Sequence, residues 1–348
     1  MKKVLFATTA LVATAGVASA DIALSGVAQM GIQGGSGNAT TQFVQDIDVT
    51  FTMSGTADNG LTFGAAIDLD ENAAGVGTDD AGVAIFISGD FGTLTMGDTD
   101  GALDWAMTEV NVAGGSINDD ETTHRGFSGN AWLDGHYDGQ ILRYDYSFGD
   151  FAVAISVEQD DNTTVQGIAF NIPNALGSNN AVDADPVWGL GARYRGMFAG
   201  GSFGVGIGYQ FTNDGLDNDG GATNGVSVTG LSANVALDSG FSAAVNYSMV
   251  EIDGANNDGT HFGIGVGYTF DAITVGANYG SFDWDTGAFD GDNNGYGLAA
   301  VYDFGGGLTA HLGYGWSETT AVNNSAAGQA AAVLGSASTW SLGLSMSF

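Results

Sequence analysis

Cysteine is absent from the 348 residues, and lysine is absent beyond position 3. Without cysteine there is no disulfide staple, no thiolate metal site and no thiol nucleophile. Proline occurs twice, at Pro173 and Pro186, both within one long insertion, Gln159–Pro186. Almost nothing else in the chain is therefore barred from a hydrogen-bonded ladder. Past residue 20 there is no run of the ~20 apolar residues that a spanning helix needs. Positive charge is also scarce. Arg125, Arg143, Arg193 and Arg195 stand against 40 acidic residues, and Lys2 and Lys3 bring the net charge to −34. Nucleic acid would be repelled by such a chain, whereas cations would be attracted.

What is present is a leader, glycine and alternation. Met1-Lys2-Lys3, an apolar run from Val4 to about Val17, and Ala18-Ser19-Ala20 form a charged region, a hydrophobic region and an A-x-A cleavage site. Residues 1–20 read as a secretory signal peptide, with the mature chain running from 21 to 348. Glycine numbers 58, yet large apolar residues are frequent too, which separates this chain from disordered low-complexity sequence.

Those apolar residues alternate. In Asp46–Met53, Ile47, Val49, Phe51 and Met53 share one face while Asp46, Asp48, Thr50 and Thr52 share the other. Phe203, Val205, Ile207, Tyr209 and Phe211 line one side of their segment, and Gly204, Gly206, Gly208 and Gln210 line its reverse. Period two over such runs predicts strands with one apolar and one small or polar face. The late part of the chain gives strands at about 226–237, 241–250, 260–270, 273–282, 294–304, 308–316 and 338–348. Sixteen strands are predicted in all, with short turns and long loops in strict alternation, loops at 283–293 and 317–337 among them. An even strand number, that asymmetry and aromatic strand ends (Phe211, Phe270, Phe304, Trp316, Phe348) point to an all-β antiparallel transmembrane barrel. In lipid a closed barrel is the one arrangement of strands that leaves no backbone edge unpaired.

One connection is far too long for a hairpin. The stretch 98–139 carries Asp98, Asp100, Asp104, Glu109, Asp119, Asp120, Glu121, Asp134 and Asp138, with Arg125, His124 and His136. Long structureless loops in compact proteins are usually functional or disordered. This one is expected to be the third long loop, folded inward to set the narrowest point of the bore.

Several strings carry a family resemblance. Leu24-Ser-Gly-Val-Ala-Gln-Met-Gly31, Phe51-Thr-Met-Ser-Gly-Thr56, Asn59-Gly-Leu-Thr-Phe-Gly-Ala65 and Phe86-Ile-Ser-Gly-Asp-Phe-Gly-Thr-Leu-Thr-Met-Gly-Asp98 resemble the general diffusion porins of purple and related alphaproteobacteria, the Rhodobacter type. The layout extends the likeness to the whole mature chain, and the terminal strand ending at Phe348 shares it. The resemblance implies a homotrimer in the outer membrane, with an inward constriction loop, structural calcium among loop acids, and a terminal Phe read by the assembly machinery. The chain departs from the family in having few arginines and no lysine to face the constriction loop.

Passive transport breaks no bond, so the candidate residues are electrostatic, set by charge at a constriction. Parity puts Arg143 with Asp145 and Ser147, and puts Arg193 and Arg195 opposite Tyr194, so all three arginines are expected to point into the bore and face the acidic loop. Asp46, Asp48, Asp68, Asp145 and Glu158 are expected on the lumen wall, biasing the pore toward cations. Asp119, Asp120 and Glu121 are the candidate calcium ligands, with other loop acids at Asp79-Asp80, Asp160-Asp161 and Asp290-Gly-Asp292. None of these has EF-hand spacing. The four histidines come with no G-x-S-x-G in a supporting context, so no enzyme is read. The expected function is passive diffusion of small hydrophilic solutes and ions. A substrate-specific channel, or a plugged adhesive or structural barrel, stands as the alternative.

Overall fold

A computed structural model describes residues 21–37, 40–70, 82–112, 114–135, 139–159, 185–217, 223–253, 257–286, 289–323 and 335–348. The leader lies outside these residues. The first half of the chain forms strands β1 (Asp21–Gly34), β2 (Gln42–Thr56), β3 (Thr62–Asp70), β4 (Ala84–Gly89), β5 (Gly92–Asp98), β6 (Gln140–Phe148), β7 (Phe151–Glu158) and β8 (Val187–Phe198). The second half forms β9 (Gly201–Asp217), β10 (Thr223–Leu237), β11 (Phe241–Ile252), β12 (Asn257–Phe270), β13 (Ile273–Thr286), β14 (Phe289–Gly305), β15 (Leu308–Asn323) and β16 (Gly335–Ser347). Each strand pairs antiparallel with the next. β16 returns to β1 from Val27↔Ser347 to Gly34↔Trp340, closing the barrel.

The two faces separate as the alternation requires. Phe203, Val205, Ile207 and Tyr209 keep 37–51% of their surface exposed, while Gln210 between them in parity is fully buried. Burial of the polar face and exposure of the apolar one inverts a soluble sheet and fits a wall with lipid outside. Among the described residues no helix is long and apolar enough to cross a membrane.

Two features differ from the sequence reading. The ladder runs past the expected strand ends: β13 and β14 pair out to Thr286↔Phe289, and β15 reaches Asn323, so the loops expected at 283–293 and 317–337 are shorter. Apolar alternation marks the part of a strand that faces lipid. Hydrogen bonding continues beyond it, where an outward Asp283 sits in water at no cost. The second feature is a one-turn helix, α1 (Ala102–Ala106), inside the long 98–139 connection. Ala and Leu favour the helical turn, and all five of its residues are buried.

Candidate functional site

The described residues of the 98–139 segment lie against the small, polar face of the wall. Its backbone has no ladder of its own, and buried backbone groups must find partners. Wall side chains supply them strand by strand. Ser156 on β7 accepts from the Ala102 amide (2.8 Å), and Ser232 on β10 accepts from the Thr108 amide (2.9 Å). On β11, Asn246 donates to the Thr108 carbonyl (3.4 Å), and Ser242 donates to the Val112 carbonyl (3.2 Å). On β12, His261 Nε2 meets the Gly126 carbonyl at 3.0 Å. Asn278 on β13 donates to the Glu121 carbonyl (2.9 Å) and meets His124 Nε2 at 2.6 Å. On β15, His311 Nδ1 lies 2.6 Å from the Gly115 carbonyl, and Ser317 accepts from the Arg125 amide (2.9 Å). The segment then returns. Gln210 on β9 accepts from the Leu133 amide (3.1 Å), and Glu158 on β7 accepts from Gly135 and Gly139 (3.0 and 2.9 Å).

Apolar packing reinforces this docking. Leu103, Met107 and Leu133 of the segment form one buried cluster with Val187, Val226, Val228, Val250, Ile252, Phe282 and Trp284 of the wall. Trp132 packs on its edge against Phe282 and His261 with a φ of 48°, a strained backbone for a bulky residue. Packing of this kind is what holds such strain. The cluster escaped the sequence reading because apolar parity flips near these strand ends. In β13, Tyr279 faces outward but Phe282 and Trp284 face inward.

Parity places the predicted arginines on the inner face, and the segment then takes two of them. Arg143 Nη1 donates to Thr99 Oγ1 (3.1 Å) and to the Asp100 carbonyl, with its Nε 3.5 Å from Asp145 Oδ1. Arg193 donates to the Trp105 carbonyl (2.8 Å), and its guanidinium carbon lies 3.7 Å from the Trp105 ring centroid. Arg195 remains exposed.

The predicted acids divide in the same way. Asp98 and Asp119 are exposed, and Asp100, Glu109, Asp46, Asp48, Asp68 and Asp145 are half-buried. Asp68 accepts from Thr50 across the β2–β3 pair (3.0 Å). Asp104, Asp120 and Glu121 do not display charge to a bore: they are 5%, 0% and 2% exposed. Glu158 lies on the expected face but is 2% exposed, because both its oxygens serve the segment's amides. It is an anchor rather than a solvated wall charge. Asp138 and His136 lie outside the described residues, as do Asp79, Asp80, Asp160 and Asp161.

The candidate calcium ligands are not gathered. Asp120 accepts from Ser116 and Asn118 (both 3.3 Å), while Glu121 accepts from the Ser116 amide (3.0 Å). Among the described residues no group of three or more His, Cys, Asp or Glu could hold a metal ion. Asp120 and Glu121 stabilise the turn they sit in, and the three acids do not fit a calcium cage by themselves.

Burial alters titration along the segment. It pushes the Glu121 carboxyl up, and it pushes the His124 imidazole down against the bond to Asn278. Asp134 is raised well above the usual carboxylate range, first by burial and then by Asp104, while the Gly101 amide pulls the other way. The docked segment thus favours a protonated Asp134. Docking is undiminished below the ordinary carboxylate range and weakens as pH rises through it toward the raised value. Asp134→Asn, which mimics the protonated acid, is expected to remove this alkaline weakening, read as the pH dependence of Trp132 fluorescence or of open-channel noise. An unchanged pH profile would count against it.

Gln210, Asn246, His261 and Asn278 were not singled out by the sequence reading. The available signal was a large polar residue at an inner-face position among glycines and serines.

A family model described as Gram-negative porin matches residues 7–322. A porin from Rhodobacter capsulatus is 32% identical over 306 residues, covering 82% of this chain and 90% of that protein. A porin structure refined at 1.8 Å superposes with a TM-score of 0.65 at 25% identity, over 94% of this chain and all of that one. An anion-selective porin from Comamonas acidovorans has the same fold, with a TM-score of 0.63 at 13% identity over 95% of this chain and 100% of that one.

Proposed function

The chain belongs to the Gram-negative porin family, and from that premise we propose a general diffusion pore for small hydrophilic solutes and ions, narrowed by residues 98–139 and preferring cations. It is an outer-membrane channel protein and not an enzyme. The observation that carries the finer reading is the docking of residues 101–135 along the polar face from β7 to β15. A segment bonded to so many strands of a closed barrel through their inner face lies across the bore and narrows it. Asp46, Asp48 and Asp68 are half-exposed on that same face of β2 and β3 and supply fixed negative charge. Export through the leader, assembly as a homotrimer and contact with outer-membrane lipid complete the reading.

A substrate-specific channel would need aromatic rings displayed along the solute's path. Of the inward wall aromatics, Phe282 and Trp284 are 2% and 0% exposed, packed under Trp132, and the half-buried Phe86 of β4 makes no ladder by itself.

The test is conductance in a planar bilayer under a salt gradient. Stepwise openings in threes are expected, with a reversal potential of the cationic sign that shrinks as salt rises, since fixed charges are screened beyond ~10 Å at 0.1 M salt. Folded protein that does not conduct would favour the plugged, adhesive barrel.

A further inference from the structure

Glycine is abundant in this chain, and the channel reading does not by itself explain where it falls. Gly191, Gly208 and Gly230 are directly paired on the adjacent strands β8, β9 and β10, with all three on the inner face. Farther round, Gly280 of β13 pairs with Gly295 of β14, and Gly297 of β14 pairs with Gly315 of β15. Glycine in a strand interior weakens the strand and marks a close approach of other backbone. Here the approaching backbone is the docked segment. A Cβ at Gly191 would run into the Ala102 carbonyl, one at Gly280 into the Gly126 carbonyl, and one at Gly315 into the Asp120 carbonyl. At Gly230 a Cβ would meet no segment backbone, only the end of the Met107 side chain at 2.9 Å and the Ser248 hydroxyl at 3.3 Å.

We propose that Gly191, Gly208, Gly280, Gly297 and Gly315 form a belt that positions the constriction, letting the backbone at Ala102, Leu103, Asp120, Glu121 and Gly126 lie directly on the barrel wall. The wall, rather than the segment's own fold, then sets how far the constriction reaches into the bore. This rests on the channel reading above.

The segment is tied near its start by Arg143 and Arg193 and at its end by Glu158. One added methyl group does not undo all of these ties. A methyl group at Gly280 or Gly315, 2.0 and 2.1 Å from a carbonyl oxygen, must lift it locally, by about 1.4 Å to restore ordinary van der Waals separation. That displacement is toward the axis.

The experiment compares Gly280→Ala, Gly315→Ala and Gly230→Ala in the full chain, each refolded and checked by heat-modifiable mobility and β-sheet circular dichroism. Single-channel conductance is expected to fall roughly 1.5-fold in the first two, where a carbonyl blocks the added carbon. It should stay at the parent value in Gly230→Ala, where a flexible side chain can swing aside. Folded Gly280→Ala and Gly315→Ala proteins that conduct like the parent overturn the proposal. So does failure of both to fold while Gly230→Ala folds, since the glycines would then serve the barrel and not the segment. A parent that does not conduct at all sinks the channel reading itself, a result distinct from a conducting parent with indifferent variants.

Discussion

Leu103→Asp is expected to release the docked segment from the wall and raise single-channel conductance several-fold. Leu103 is fully buried between the segment and the wall, with Met107, Leu133, Val226 and Val228 in the same cluster. Removing a buried leucine costs about 2–5 kcal/mol, and an unpaired carboxylate in its place adds a further desolvation cost. A bias of about 5 kcal/mol shifts a two-state equilibrium by roughly three to four powers of ten toward the undocked segment. The barrel is expected to survive, because its closed ladder from β1 round to β16 does not pass through Leu103. Trp284→Ala attacks the same cluster from the wall side, with an expected cost of about 3–5 kcal/mol, and should move conductance in the same direction. Folded Leu103→Asp protein with the parent's conductance would mean that the segment does not narrow the pore.

The second large effect concerns selectivity. Changing Asp46, Asp48 and Asp68 together to Asn is expected to abolish most of the cation preference at 0.1 M salt and to alter little at 1 M. These carboxylates stand on the inner face of β2 and β3 with part of their surface in water. Their field reaches a passing ion within a screening length of ~10 Å at the lower salt and ~3 Å at the higher. Glu121→Gln is the matched control. That carboxylate is 2% exposed and bonded to the Ser116 amide, away from the water path, so the reversal potential should barely move. If the control shifts selectivity as much as the triple change, then the loop acids and not the wall set the preference.

The arginines show where reading by parity succeeds and where it stops. Alternation assigns Arg143 and Arg193 to the inner face, since a side chain's face depends only on its place in a strand. Their role depends on what lies opposite. Arg143 holds the first residues of the segment and Arg193 stacks on Trp105, so both act as clamps as well as charges. Glu158 followed the same course, with the right face and an anchoring role.

The sequence by itself determined the barrel: strand number, alternation of short and long connections, the lipid-facing residues and the identity of the unusual connection all follow from a period of two and from local turn chemistry. It also carried the family, through the strings ending at Asp98. Only the tertiary structure decided which inner-face residues stay in water. The segment covers Gln210, Asn246, His261 and Trp284, and it buries Asp104, Asp120 and Glu121. That coverage joins residues more than a hundred positions apart, such as Gly126 and His261. No local pattern encodes it, because burial of a wall residue depends on the path of a chain segment that is not its neighbour in sequence.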